Sequence, residues 1–140
     1  MRTIKFRAWV KDERKMISAD SFAFEDYQPL AYLFKSSELV FMQFTGLLDK
    51  NGNEIYEGDI TALRISLIEV RHFEVAIKSV VRAVQNYHSF TDGFSKVRIT
   101  GVVFKWKGFE LFPILNIDGT DDTSKMEVIG NIHDNPELMK

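Results

Sequence analysis

The sequence predicts a mainly β fold, a small barrel-like curved sheet with short helices. Three observations indicate it: apolar and polar residues alternate near the start, two turn signals lie within residues 46–60, and twelve of the 140 residues are Phe. Alternation is typical of strands with one buried face, closely spaced turns bend a small sheet, and large rings fill a core between short strands. The length predicts a single domain over residues 1–140.

The first strand is predicted from "TIKFRAWV", in which Ile4, Phe6, Ala8 and Val10 point to one side. Lys5, Arg7 and Trp9 point to the other side, because successive side chains of a strand alternate between its faces. The charged "KDER" that follows predicts a hairpin tip, and "KMIS" predicts a short return strand.

The stretch "GLLDKNGNEIYEGDI" predicts two sharp changes of direction after a buried strand at "LVFMQFTG". Asn51-Gly52 is a strong turn dipeptide, and the preceding Asp49 is placed to cap its backbone. Gly58 predicts the second bend, since glycine tolerates positive φ. A long strand is expected to follow, because "ITALRISLIEV" contains neither Gly nor Pro.

Periodicity leaves helix and strand open for residues 61–86. Apolar residues recur at helical spacing from Phe73 to Val84, yet Phe73, Val75 and Ile77 also alternate as in a strand. We expect an amphipathic helix over 72–86, which would make the fold α+β with one such helix. A shorter helical turn is predicted around residues 29–34, after Pro29.

The C-terminal part returns to strand patterns. "KVRITGVVFKW" and "GFELFPIL" predict a hairpin across Lys107-Gly108, and "MEVIGNI" predicts a last strand. Asn135 is expected to cap a short helix with Pro136 at its first position.

Four blocks of the chain together resemble the YopX-like family of small proteins encoded by bacterial phages and prophages. They are "IKFRAWV", "MQFTGLLDKNGNEIYEGDI", "GVVFKWKGFEL" and "EVIGNIHDNPEL". The resemblance implies a mainly β fold with a barrel-like core and short helices. It implies no catalytic residues, because the family carries no accepted active-site motif.

Composition excludes several classes of function. The chain has no cysteine, which excludes disulfides and thiolate sites, and its net charge of −2 does not indicate a nucleic-acid binder. No apolar run approaches the roughly 20 residues of a membrane span, so we expect a protein of the bacterial cytoplasm. Phosphate-loop, dinucleotide and nucleophile motifs are missing, and we expect no enzyme and no cofactor.

Acidic and histidine side chains can bind metal ions when their spacing is suitable. Asp118, Asp121 and Asp122 offer clustered oxygens, but they lack the spacing of a calcium loop. His72, His88 and His133 lie too far apart for a zinc motif. We therefore expect no metal site.

Two functions remain. The first is a non-enzymatic phage or prophage accessory module that binds a host or phage protein or assembles with itself, as a homo-oligomer. Its predicted contact is the apolar face of the expected helix, formed by Phe73, Ile77, Val81 and Val84. The alternative is a nucleic-acid-binding small barrel whose basic and aromatic strand face comprises Lys5, Arg7, Trp9, Lys105 and Lys107.

Overall fold

The computed structural model describes residues 4–18, 39–85, 93–113, 117 and 119–140. These residues form nine strands and two short 3-10 turns, at Thr123–Lys125 and Pro136–Met139. The strands are β1 (Phe6–Val10), β2 (Lys15–Ile17), β3 (Leu39–Leu48), β4 (Glu54–Tyr56), β5 (Asp59–Arg64), β6 (Val70–Gln85), β7 (Phe94–Trp106), β8 (Phe109–Leu111) and β9 (Glu127–Asn131). The predicted mainly β fold is confirmed. The helical turn expected at residues 29–34 lies outside the described residues.

The strands form two antiparallel sheets, ordered β2-β1-β3-β4 and β8-β7-β6-β5-β9. The β structure as a whole curls strongly into a half-barrel. Its core joins Ile55 of β4 to Phe73 and Val75 of β6, Phe104 of β7 and Met126. The core therefore takes side chains from strands of both sheets.

The N-terminal hairpin follows the prediction. A turn at residues 11–14 joins β1 to β2, with Trp9 opposite Met16, and Arg14 adopts a φ of 50°. The other edge of β1 pairs with β3, where Ala8 lies opposite Phe41. Strand β1 is therefore covered on both edges.

The turn at Asn51-Gly52 is built around Asp49, as predicted, and Gly52 adopts a φ of 82°. One oxygen of the Asp49 carboxylate accepts hydrogen bonds from the backbone N–H groups of Asn51 and Asn53, at 2.9 and 2.8 Å. The other oxygen accepts the N–H of Val128 in β9 at 2.9 Å. Burial raises the pKa of Asp49, but these donors outweigh it and hold the pKa below its ordinary 3.8. The carboxylate therefore also ties the turn to the second sheet.

The amphipathic helix expected over residues 72–86 is wrong, because this segment belongs to strand β6. Twelve consecutive residues of β6, from Glu74 to Gln85, face partners in β7. Val and Ile are frequent in this stretch, and their branched side chains favour strands. Pairing with β7 decides between two periodicities that the local sequence supports about equally.

The single long strand expected over residues 60–70 is interrupted by a turn. Strand β5 ends at Arg64, and the N–H groups of Ile65 and Ser66 donate to the carbonyl of Glu69 at 2.9 and 3.3 Å. This turn contains neither Gly nor Pro, so the usual turn signals do not reveal it.

The C-terminal hairpin and last strand are confirmed as β7, β8 and β9, and Lys107 and Gly108 both adopt positive φ. The predicted helix cap differs in detail. The Asn135 side chain makes no capping hydrogen bond to the turn at Pro136–Met139; its oxygen instead accepts the N–H of Asn131 at 3.4 Å. Asn135 therefore closes the loop after β9.

Candidate functional site

Arg7, a residue of the predicted basic face, is anchored in the interior by an ion pair. Its Nη2 lies 2.7 Å from Oδ1 of Asp59, with 13% of the Arg7 side chain and 2% of the Asp59 side chain exposed. The guanidinium also lies 4.8 Å from the centre of the Tyr56 ring, and the Tyr56 N–H donates to Oδ2 of Asp59 at 2.7 Å. Burial raises the pKa of Asp59 although Arg7 lowers it. This pair joins β1 to β5, and so the first sheet to the second.

Trp9 is buried as well. Its ring stacks on His133, with centroids 5.1 Å apart and planes inclined by 14°, and only 8% of the residue is exposed. Nε2 of His133 is buried without a hydrogen-bond partner in the structure. Burial, with Arg7 nearby, lowers the pKa of His133 below its ordinary 6.5. The indole is therefore occupied by a core contact and does not offer a stacking face.

The remaining residues of the predicted basic face have separate partners. Lys5 pairs with Glu54 at 2.6 Å, Lys105 pairs with Glu74 at 3.1 Å, and the Lys107 ammonium lies 5.3 Å from the centre of the Trp106 ring. Each lysine thus has its own neighbour. The structure does not assemble the five residues into one exposed surface, because two of them are interior.

Asp121 and His72 make contacts that organise local structure. The Asp121 carboxylate accepts the N–H of Ser124 and the hydroxyl of Thr123 at 3.0 and 3.2 Å, which organises the turn at Thr123–Lys125. Nδ1 of His72 donates to the carbonyl of Leu138 at 2.9 Å. Asp118 and His88 lie outside the described residues. Within the part of the chain that is described, no group of three acidic or histidine residues is arranged to hold a metal ion.

A cleft of about 350 Å³ lies at the start of β6, beside Trp106. The Arg71 guanidinium is stacked 4.2 Å from the centre of the indole ring and pairs with Glu69 at 2.8 Å. We call this the Trp106 cleft, which is lined by Glu69, Val70, Arg71, His72, Trp106, Lys107, Leu138, Met139 and Lys140. Its walls combine apolar surface with charges of both signs.

Next to this cleft, the turn between β5 and β6 exposes large aliphatic side chains to water. Leu67 is 95% exposed and Ile68 is 97% exposed, and the flanking Ile65 and Val70 are each 44% exposed. We call these four residues the apolar tip. Arg64 donates to the carbonyls of Ser66 and Leu67 in this turn at 3.5 and 3.3 Å.

Three of the four residues predicted for self-association have described side chains, and these three do not form one exposed face. Phe73 is a core residue, 3% exposed, in an edge-to-face contact with Phe104. Ile77 is partly buried, whereas Val81 is 46% exposed. Val84 lies in β6, but its side chain is outside the described part. The helical stripe does not form, because these residues belong to a strand that pairs with β7.

Sequence reasoning missed the apolar tip because it assigned these residues to a strand interior. A signal was present: Leu67 and Ile68 are adjacent apolar residues between Ser66 and Glu69. Two adjacent residues of a strand point to opposite faces, so two adjacent apolar residues require both faces to be buried. The polar neighbours Ser66 and Glu69 do not support burial on both faces.

The chain is similar in fold to a solved structure. A crystal structure of protein EF1440 from Enterococcus faecalis is 27% identical, with 100% of each chain covered and a TM-score of 0.54. The comparison with curated proteins finds no match. In the described part of the chain, no helix has the length and apolar character needed to cross a membrane.

The family follows from the whole length of the sequence. The model of the YopX protein family matches residues 5–140. This range includes three of the four blocks on which the resemblance was based completely, and the first block from Lys5 onward. The chain belongs to the YopX family.

Proposed function

We propose that this chain is a non-enzymatic interaction module that assembles with copies of itself, and that it serves a phage or prophage in the bacterial cytoplasm. The observation that carries the proposal is the apolar tip, where Leu67 and Ile68 are almost fully exposed. Burying one such side chain stabilises a complex by about 1.5–3 kcal/mol, and exposed apolar patches commonly mark partner sites.

The Trp106 cleft offers a site for this tip in a second copy. Val70, Trp106, Leu138 and Met139 supply apolar lining, and the volume of about 350 Å³ falls in the range of pockets that enclose small ligands. Val70 belongs to both the tip and the cleft, so the two features are adjacent. A two-fold axis between them would place each tip in the other copy's cleft, which is a closed and reciprocal contact.

Charges around the cleft are compatible with self-pairing. Glu69 and Arg71 border it with opposite charges, and Lys107 adds a second cation. In a two-fold contact each copy presents the same surface, so a surface with both signs can match positive to negative across the axis. A surface of one sign would repel its copy.

The polar clusters inside the fold support a role without catalysis. The Asp49 carboxylate is occupied by backbone donors, and the Arg7–Asp59 pair joins the two sheets. These groups act as structural anchors. The phage or prophage setting is supported by the YopX resemblance.

Light scattering coupled to size exclusion tests the assembly at tens of micromolar. We expect an oligomer for the unmodified chain and a monomer for the double variant Leu67→Ser, Ile68→Ser. Ile4→Ser is the matched control, because Ile4 is 69% exposed beside the first sheet. A monomeric unmodified chain overturns self-assembly, and an oligomer that the double variant preserves overturns the contact.

Disulfide capture tests the reciprocal geometry, because the chain has no cysteine of its own. Two single variants, Ile68→Cys and Met139→Cys, are mixed under oxidising conditions with different affinity tags. We expect a mixed dimer carrying both tags in preference to either symmetric dimer. A mixture at or below the random proportion contradicts insertion of the tip into the cleft.

A further inference from the structure

Basic charge is concentrated in the far part of the β6–β7 hairpin. Residues 76–85 and 94–103, which we call the distal arm, contain Lys78, Arg82, Lys96 and Arg98 and no Asp or Glu. The whole chain instead has eighteen basic and twenty acidic residues. The arm therefore carries a positive potential on an otherwise acidic chain.

The arm is a two-stranded ribbon in the described structure. Strand β5 pairs with β6 only as far as Glu74, and β8 pairs with β7 only from Phe104 onward. Between these limits the described strands β6 and β7 pair with each other alone, from Ala76 opposite Val103 to Gln85 opposite Phe94. A ribbon of two antiparallel strands is narrow enough to enter the major groove of B-form DNA.

One face of the arm is covered by the segment after β7. Glu110 forms an ion pair with Lys78 at 2.5 Å, and its carbonyl accepts a hydrogen bond from Arg82 at 2.5 Å. Arg82 also lies 5.7 Å from the centre of the Phe112 ring, and Val80 on this face is only 6% exposed. The two basic residues on this side are thus engaged within the molecule.

The opposite face is open and carries the other two cations. Strand pairing sets Lys96 opposite Ala83 and Arg98 opposite Val81, and the hydroxyls of Ser79 and Thr100 bond to each other at 2.6 Å. Ser79, Val81, Ala83, Lys96, Arg98 and Thr100 on this face are all exposed, whereas Ile77 and Val102 at the base of the arm are partly buried. The side chains beside the cations are small or short, so a ligand can approach the ribbon closely.

Lys96 and Arg98 form no ion pair with an acidic residue among the described residues. Each of the seven ion pairs among the described residues uses a different Lys or Arg, and neither Lys96 nor Arg98 takes part. The two residues are two positions apart on one strand face, about 7 Å along the strand. They are available to an anionic partner whose charges repeat along its length.

We propose that the open face of the distal arm binds the phosphate backbone of double-helical DNA, with the ribbon lying along the major groove. Phosphate contacts from Lys and Arg supply affinity that does not depend on sequence, and hydroxyls add neutral donors. DNA fits better than double-stranded RNA, because the major groove of an RNA helix is too deep and narrow for a protein element. The site lies at the opposite end of β6 from the apolar tip.

Fluorescence anisotropy with a labelled DNA duplex of about 21 bp, two helical turns, tests the proposal. We expect binding by the full chain that weakens steeply as salt is added. The double variant Lys96→Gln, Arg98→Gln should lower affinity about tenfold or more and reduce the slope of log K against log salt by about 2. Thr100→Glu, which adds a negative charge to the same face, should also weaken binding.

Lys11→Gln with Arg14→Gln is the matched control, because it removes the same charge from an exposed turn. It should change affinity less than about threefold, since charges away from the contact act only through screened long-range attraction. Absence of binding at low salt, an equal effect of the control, or equal affinity for an RNA duplex overturns the proposal. Light scattering of the Lys96, Arg98 variant should show an unchanged oligomer, which separates this result from failure of the apolar tip.

Discussion

Gly58 is expected to be far less replaceable than Gly119, although both glycines adopt the same backbone conformation. Their φ values are 86° and 87°, so a Val at either position is strained by about 1–3 kcal/mol. The difference lies in the surroundings. A Cβ at Gly58 would lie 2.8 Å from Sδ of Met42 and 3.7 Å from Cγ1 of Ile132, whereas a Cβ at Gly119 meets nothing within 4 Å.

The steric term at Gly58 sets the size of the expected difference. Met42 is only 3% exposed, and its flexible side chain can relax part of the contact into a cleft of about 210 Å³ that Met42, Gly58 and Ile132 line together. Overpacking of a core costs about 1–3 kcal/mol. Gly58 also donates its N–H to Val75 at 2.8 Å and accepts from Ile132 at 2.9 Å, which prevents the backbone from shifting freely. We expect Gly58→Val to lose about 1–3 kcal/mol more than Gly119→Val.

Urea unfolding of both variants measures the two free energies, with equal m values required for comparison. In thermal melts, each kcal/mol should appear as a Tm decrease of about 4 °C for a chain of this size. Met42→Ala combined with Gly58→Ala supplies the internal check, since removing the sulfur should recover part of the Gly58→Ala loss. Equal losses at the two glycines, or additive effects of Met42→Ala and Gly58→Ala, would refute the steric reasoning.

Two further predictions concern the buried polar groups. Asp59→Asn leaves the Arg7 guanidinium buried without a counter-charge and should lower the free energy of unfolding by about 3–5 kcal/mol. Glu13→Gln is the control, because the side chains of the Glu13–Lys15 pair are each more than half exposed. This control should lower the free energy of unfolding by less than about 1 kcal/mol. Similar losses in urea would contradict the role of the interior pair. The His133 pKa is lowered on folding from 6.5, so its contribution to stability is fully present above that value and is lost as pH falls through the folded pKa. Melts below pH 6.5 should show a shallower pH slope for His133→Phe than for the unmodified chain; an unchanged slope would mean that another group titrates.

Local chemistry determined the parts of the fold that short stretches specify. The alternation in β1, the Asn51-Gly52 turn capped by Asp49, the bend at Gly58 and the Lys107-Gly108 hairpin were all predictable, because each depends on residues within a few positions of one another. The YopX family was also identifiable from the sequence, because the four similar stretches are distributed along the chain from its start to its end. The single domain over residues 1–140 stays a prediction.

Only the tertiary structure decided what the ambiguous and polar residues do. Residues 72–85 carry both helical and strand periodicity, and pairing with β7 selects the strand. The sequence predicted Arg7 and Trp9 on a surface face. In the structure, Asp59 pairs with Arg7 and His133 stacks on Trp9, although both partners are distant in sequence. The exposure of Leu67 and Ile68 depends on a turn that contains neither Gly nor Pro. The open face of the arm depends on where β5 and β8 stop pairing. In each case the deciding partner lies far away in sequence, and a contact between distant segments leaves no mark on the local pattern of either one.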